Sequence, residues 1–380
     1  VTDNYAFLTK GPIHHVIWTL AVPTIISMLI TNVYNIVDTF FVGQIDTQST
    51  AAVGVVFSLM FVVQAFSFFF GNGSGNYIAR QLGARNRHKA ERMASTAFFY
   101  ALCCGTLLAV LGLVFLTPIS KMLGSTPTIL PYTESYLGIS LFGVPFLMGS
   151  FCINNQMRFQ GYARYSMYGM VSGAVLNCVL DPIFIFGLRM GVAGAAYATL
   201  IARIFSVIFL YIVMKRNSIT RRYINELSFK ISLFKKEMFQ TLLKLGLPTA
   251  MQLFFEVTAF ALAAFICGMV STTDIAAHQV TISMASFTFN LCAGFGVAST
   301  IMIGKKRGEK DFVAVREIGI NNMKIVFLFM LISCLTFTIG KNVLPTFFTK
   351  ENETAVIALA SQLLVLASLF QLSDGLQLVS

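Results

Sequence analysis

Charge is what this 380-residue chain has least of. Asp, Glu, Lys and Arg make up 11% of it, hydrophobic residues 56%, and mean hydropathy is +0.75. Soluble domains carry about a quarter charged residues, so a water-exposed globule is excluded. Histidine is equally short, with four copies and no H-E-x-x-H, and no other recognisable catalytic constellation points to an enzyme. His14 and His15 at the entry of the first helix form no metal pattern. The seven cysteines (103, 104, 152, 178, 267, 292 and 334) all fall within apolar runs and show no C-x-x-C, so they read as packing residues, not as a disulfide framework. GNGSG at 71–75 lacks the Lys-Ser/Thr that completes a phosphate loop, and reads as close helix packing.

What the chain has instead is long apolar runs. A helix crossing a hydrocarbon core of ~30 Å needs roughly 20 apolar residues. Runs of that length lie near 14–39, 51–73, 94–117, 131–157, 165–187, 191–214, 245–269, 275–298, 322–345 and 353–380, ten in all. Their apolar character is continuous, not alternating, which excludes a transmembrane barrel and predicts an all-α polytopic membrane protein in the lipid bilayer. The net charge of +11 is then a matter of orientation, not of nucleic-acid binding. Twenty-two of the 27 Lys and Arg fall on one side, including the eight from Lys215 to Lys244 and the six from Lys305 to Lys324, which puts the N-terminus in the cytoplasm.

The chain also matches itself. At an offset of 225 without a gap, Leu20, Pro23, Thr24, Phe40 and Gly43 fall on Leu245, Pro248, Thr249, Phe265 and Gly268, and the register holds through Phe70, Gly71 and Gly83 on Phe295, Gly296 and Gly308. A constant period of this length fixes the architecture as two homologous lobes. The expected domains are an N-lobe at 1–218 with helices 1–6, a polar cytoplasmic linker at 219–244, and a C-lobe at 245–380 with helices 7–10. Six spans per lobe make the two repeats parallel, related by an axis along the membrane normal. Residue 380 corresponds to about residue 155 of the first repeat, so twelve helices are expected in full, about ten of them here.

Four of the 16 acids lie inside predicted spans: Asp38, Asp181, Glu256 and Asp374. A charge at membrane depth costs several kcal/mol, so such residues mark an ion or proton path or else a carboxylate bonded between helices. Asp38 and Asp181 share the outer half of the first lobe. Asn177 lies one turn before Asp181, Tyr34 and Asn35 one turn before Asp38, and Thr199 reaches a similar depth from the sixth helix. Two carboxylates with amides and hydroxyls offer oxygen ligands to Na+ or a proton-sharing acid pair, and both readings stay open. In the second lobe Asp38 becomes Ala263, Glu256 sits seven residues earlier in the repeat, and Asp374 joins it from the tenth helix. His278 and Gln279 are further polar candidates, for a cation or substrate site or for interhelical hydrogen bonds, with Gln252 nearby. Arg203, one turn from Thr199, serves either to neutralise the first-lobe acids or to reach an interface.

The pattern P-x14-D-T-x-F-V-G (Pro23, Asp38, Gly43), LNCVLDPIFIFG at 176–187, MGVAGAAYAT at 190–199, IARQLGARN at 78–86 and AAHQ at 276–279 resemble the multidrug and toxic compound extrusion (MATE) transporters. The resemblance covers essentially the whole chain. It implies a monomeric two-lobe antiporter of the inner or plasma membrane that expels organic cations and amphiphilic drugs by alternating access. Na+ or H+ would be its coupling ion, and it would need no cofactor. It further implies that Asp38, Asn177, Asp181 and Thr199 form the first-lobe cation site, with Tyr34, Asn154 and Asn155 nearby as cleft residues, and that Glu256 and Asp374 match second-lobe acids. A lipid-linked oligosaccharide flippase of similar build is the alternative. It would line its cleft with Arg and Lys, and Arg203 is the single mid-helix base.

Overall fold

A computed structural model describes residues 11–216, 236–347 and 354–379. Residues 217–235, which include the first part of the expected linker, 219–235, lie outside the described residues, and its last part, 236–244, is helical. Among the described residues every regular element is helical: α1 (Ile13–Gly43), α2 (Thr47–Gly83), α3 (Arg87–Val114), α4 (Leu116–Met122), α5 (Leu130–Phe142), α6 (Val144–Phe159), α7 (Ala163–Pro182), α8 (Val192–Arg216), α9 (Lys236–Val270), α10 (Thr272–Glu309), α11 (Phe312–Gly340) and α12 (Thr354–Val379). A π-helical turn, Ile183–Gly187, continues α7, and a 3-10 turn, Leu344–Phe347, precedes α12. Nine helices among the described residues are long and apolar enough to cross a membrane, ten if α5 and α6 form one span. The single run expected at 131–157 is in fact broken by 48° between α5 and α6. Pro145, which has no N–H to give, lies two residues past the break at Gly143.

The internal repeat is written into the backbone as well as the residue types. Asp46 caps α2 by accepting from the Ser49 N–H, and 225 residues later Ser271 caps α10 by accepting from the Asp274 N–H, the two residue types exchanged. Asn86 accepts from Lys89 N at 3.3 Å to open α3, and Asp311 accepts from Ala314 N at 3.1 Å to open α11. The residue before each of the latter caps is left-handed without being glycine, Arg85 at φ 56° and Lys310 at φ 63°. Both are held by matching bonds, Arg85 N to Leu82 O at 3.1 Å and Lys310 N to Arg307 O at 3.2 Å. At the second turn the Ala314 N–H, helped by Lys306, holds the Asp311 carboxyl below the usual carboxylate range.

Contacts gather the chain into two compact units, residues 30–251 and residues 1–29 with 252–380. In the first, small residues recur along α3 at Ala90, Ala94, Ala97, Ala101, Gly105 and Gly112, all buried. A Cβ on Gly105 would lie 2.8 Å from the Pro145 backbone, so α6 approaches α3 almost backbone to backbone, and one on Gly112 would lie 2.6 Å from the Leu141 side chain that α5 lays across it. Apolar helices in lipid have no hydrophobic reason to associate, and close van der Waals approach through small residues supplies one. The first part of α9 meets α2 in the same way. A Cβ on Gly73 would stand 2.8 Å from Gly246 Cα, and one on Gly246 would stand 2.6 Å from the Phe69 carbonyl. In the second unit Trp18 of α1 packs edge-on to Phe295 at 5.0 Å, and Gly294 lets Ile25 sit against α10. Large apolar side chains such as Val114, Ile339 and Val313 remain on the outside, as lipid-facing surfaces require.

These approaches have a direct consequence. Gly73→Ala and Gly246→Ala are expected to destabilise the protein by about 1–3 kcal/mol each, because the added carbon meets backbone that has nowhere to move. Gly54→Ala, where a Cβ meets nothing within 4 Å, is expected to be neutral or mildly stabilising. Thermal unfolding in detergent compares the three, and equal midpoints would contradict the packing.

Candidate cation and substrate site

The site grows from one face of α7. Gly169, Gly173, Asn177 and Asp181 recur every four residues and are all buried. The two glycines bring α8 into contact, since a Cβ on Gly169 would collide with the Leu210 side chain and one on Gly173 with Ser206 Oγ. The same antiparallel register places Thr199 of α8 beside Asn177. Gly194, at the start of α8, is packed onto the π turn, with a virtual Cβ 2.7 Å from the Phe184 carbonyl. The turn follows Pro182 directly, which breaks the helical ladder one residue after Asp181.

Asp181 and Asn177 are 0% and 1% exposed, and Thr199 is 3% exposed. With its nitrogen toward Asp181, the Asn177 amide donates to Asp181 Oδ2 at 3.0 Å, while its oxygen accepts from Thr199 N at 3.2 Å and Thr199 Oγ1 at 3.3 Å. Turned over, the amide nitrogen donates to Thr199 Oγ1 at 3.3 Å and the amide oxygen faces Asp181. The first orientation suits an ionised carboxylate, which only accepts. The second suits a carboxyl that carries a proton and donates it, or a small cation shared between two oxygens. Asn177 thus has an arrangement for either state of Asp181.

Asp38 comes from the last third of α1 and is 1% exposed, with Oδ1 lacking any hydrogen-bond partner. Its charge acts on Asp181 and on Tyr34, one turn earlier, and Tyr34 also reaches the Thr199 hydroxyl. Among the described residues no ion pair within 4 Å ties Asp38 or Asp181 to a base; Arg203 acts on Asp38 only through space. The five residues Asp38, Tyr34, Asn177, Asp181 and Thr199 therefore come together in one unit. Beside them lies a cavity of about 350 Å³. Asn177, Thr199, Tyr34 and Arg203 line it, along with Asn32 and Gln64, whereas the two carboxylates stand behind that wall.

Asn154 and Asn155 lie elsewhere in the same unit. Asn154 is spent on α6–α7 packing: its oxygen accepts from Arg158 Nη2 at 3.0 Å and Ser166 Oγ at 2.8 Å, and its nitrogen donates to the Ser166 carbonyl at 3.0 Å. Asn155 donates to the Phe151 carbonyl of its own helix at 3.0 Å. Neither residue lines the cavity.

In the other unit Glu256 of α9 and Asp374 of α12 are half-buried and interact electrostatically. His278 is half-buried and Gln279 exposed, as is Gln252. One turn before Asp374 stands Gln371, 1% exposed, which donates to Thr288 of α10 and accepts from Ser333 of α11 at 3.0 Å. This three-helix polar junction went unnoticed in the sequence. Its one signal is a glutamine in an apolar helix three residues from an acid. Among the described residues no group of three or more His, Cys, Asp or Glu is placed to hold a metal ion.

The family model MatE matches residues 23–183 and 248–380. The chain belongs to the MatE family. Among curated MatE relatives, the multidrug export protein MepA of Staphylococcus aureus is 26% identical over 382 residues, covering 98% of this chain and 82% of that protein. MepA of Staphylococcus haemolyticus is 27% identical over 383 residues, covering 98% and 81%. A crystal structure of MATE in complex with MaD3S superposes with a TM-score of 0.86 at 24% identity, over 100% of this chain and 85% of that one. A MOP superfamily transporter from Pyrococcus furiosus, reported to have a binding pocket of reverse polarity, gives 0.84 at 23% over 99% and 85%.

For this MatE chain the bond between Asn177 and Asp181 sets a test. Asn177→Leu is expected to cost about 1–3 kcal/mol by stripping a buried carboxylate of its donor. Asp181→Asn should recover part of that cost in the Leu background, giving a coupling of about 0.5 kcal/mol or more in a double-mutant cycle read by thermal unfolding. Additive effects would place the two side chains out of contact.

Proposed function

We propose that the chain is a secondary active exporter of organic cations and amphiphilic drugs, driven by antiport of Na+ or H+ and working by alternating access. The observation that carries this reading is the pair Asp38 and Asp181, buried in apolar helices beside a cavity with no base in ion-pair contact. A carboxylate kept at that cost without a fixed counter-charge is poised to take up and release a mobile cation. The multidrug export described for the MepA relatives agrees with it.

On this reading Asp38, Asp181, Asn177, Thr199 and Tyr34 load and unload the coupling ion. With Na+, the carboxylates, the Thr199 hydroxyl and the Asn177 amide in its second orientation supply oxygen ligands. With H+, the same amide follows the protonation of Asp181. Glu256, near the middle of α9, and Asp374, in the last quarter of α12, are both half-buried and attract the cationic substrate, with His278 and Gln279 as polar neighbours. Loading of the acids changes which face of the membrane the substrate site opens to, and any ligand that shifts such an equilibrium must bind its two states unequally. The basic loops give the N-terminus to the cytoplasm, in an inner or plasma membrane.

Proteoliposomes provide the test. Asp38→Asn and Asp181→Asn should each abolish uptake of a fluorescent organic cation driven by a Na+ or a pH gradient, with unfolding midpoints close to wild type. Unimpaired transport by both variants would remove the first-unit assignment. Glu256→Gln is expected to weaken binding of the cation while preserving its response to the gradient, and an unchanged affinity would remove that role.

A further inference from the structure

In the second unit a buried amide stands one turn before an acid. Gln371 of α12 is 1% exposed and reaches two neighbouring helices at once: its nitrogen donates to Thr288 Oγ1 of α10, and its oxygen accepts from Ser333 Oγ of α11 at 3.0 Å. The amide has one usable orientation, because Thr288 gives its own proton to the Ala285 carbonyl at 2.9 Å and can only accept from Gln371. Packing fastens the same side of α12. A Cβ on Gly375 would stand 2.6 Å from Met330 of α11, and one on Gly296 of α10 would stand 3.2 Å from Leu378. Asp374 lies between these contacts, three residues after Gln371 and so on a shared face. Its charge acts on Cys292, one turn after Thr288 on α10, and on Glu256 of α9. Yet among the described residues Asp374 itself makes no hydrogen bond and no ion pair. The carboxylate therefore goes where α12 carries it.

We infer that Gln371 is a positioning residue for the second-unit cation site: by tying α12 to α10 and α11 it sets the roll of the helix at which Asp374, together with Glu256, meets a positively charged ligand. The inference deepens the export reading and rests on one part of it, that Glu256 and Asp374 attract the cationic substrate. A hydrogen bond between helices in lipid adds little to stability on average. Its greater effect here is on an unbonded carboxylate, because in surroundings that screen little the attraction for a cation falls with each added ångström. Ordinary helix packing is the competing role for Gln371. It governs how readily the unit unfolds, and its effects do not depend on whether residue 374 is an acid.

The test measures binding of tetraphenylphosphonium to the purified full chain in detergent by equilibrium dialysis, with thermal unfolding alongside. Asp374→Asn should weaken binding roughly fivefold or more, as loss of a half-buried opposite charge implies. Gln371→Met keeps the length of the side chain and loses both bonds, and is expected to weaken binding about threefold or more. Thr288→Val, which removes one of the two bonds from the α10 side, should act in the same direction, and it carries the test if Gln371→Met does not fold. In the Asp374→Asn background neither substitution should weaken binding further. Ser361→Ala cuts the 2.7 Å bond from α12 to the Lys341 carbonyl, far from the acid, and should leave the affinity unchanged whatever it does to the midpoint. Wild-type affinity in both Gln371→Met and Thr288→Val, or a loss of equal size with and without the acid at 374, overturns the inference and leaves Gln371 as packing. An Asp374→Asn variant that binds like wild type removes the second-unit acids from the export reading, and the inference with them.

Discussion

An ionised oxygen placed in hydrocarbon has to be met by donors or by a cation, and the 30–251 unit is arranged around that requirement. Asp181 is met by one amide, Asn177, which is itself held by Thr199. Those three side chains are brought into register by glycines that contribute no side chain at all. Gly169 and Gly173 let α8 approach α7, and Gly194 fits α8 against the π turn behind Asp181. Asp38 has no such support and keeps an unbonded buried oxygen. The two acids therefore differ, one bonded to an amide and one with a bare oxygen.

The duplicated chain uses one scaffold for two different polar interiors. The turns that start α2 and α10, and those that start α3 and α11, agree down to individual hydrogen bonds. The acids do not follow the repeat. In the first unit they lie in α1 and at the end of α7; in the second they lie in α9 and α12, beside a Thr288–Ser333–Gln371 junction that has no match at the first site. Local backbone geometry is tied to the short sequence that builds it, and so survives duplication. Buried polar residues depend on partners from several helices and diverge freely.

The same distinction explains how much was legible beforehand. Helix number and repeat were readable because hydropathy and self-similarity are properties of consecutive residues. The Asp38–Tyr34–Asn177–Asp181–Thr199 cluster could be assembled because helix spacing and depth suffice to align side chains across neighbours. The break at Gly143 was missed, although the Gly-Val-Pro at 143–145 signals it, because the apolar run continues through it. Asn154 and Asn155, placed near the site through the family pattern alone, are engaged with Ser166, Arg158 and Phe151 instead. Arg203 was read one turn from Thr199, but whether it faces the first-unit cavity or an interface was not legible. It depends on how α8 is rotated, and so on which side of the helix Arg203 and Thr199 present.

The central claim is that Asp38 and Asp181 hold a cation that leaves when the protein works, and the most direct measurement counts it. Purified protein in weakly buffered detergent solution is mixed with tetraphenylphosphonium, and release of protons and of bound 22Na+ is recorded together. The account predicts that one of the two ions is released by wild type and neither by a chain carrying both Asp38→Asn and Asp181→Asn. Release of neither ion by wild type that binds the phosphonium, or equal release by the double variant, would contradict it.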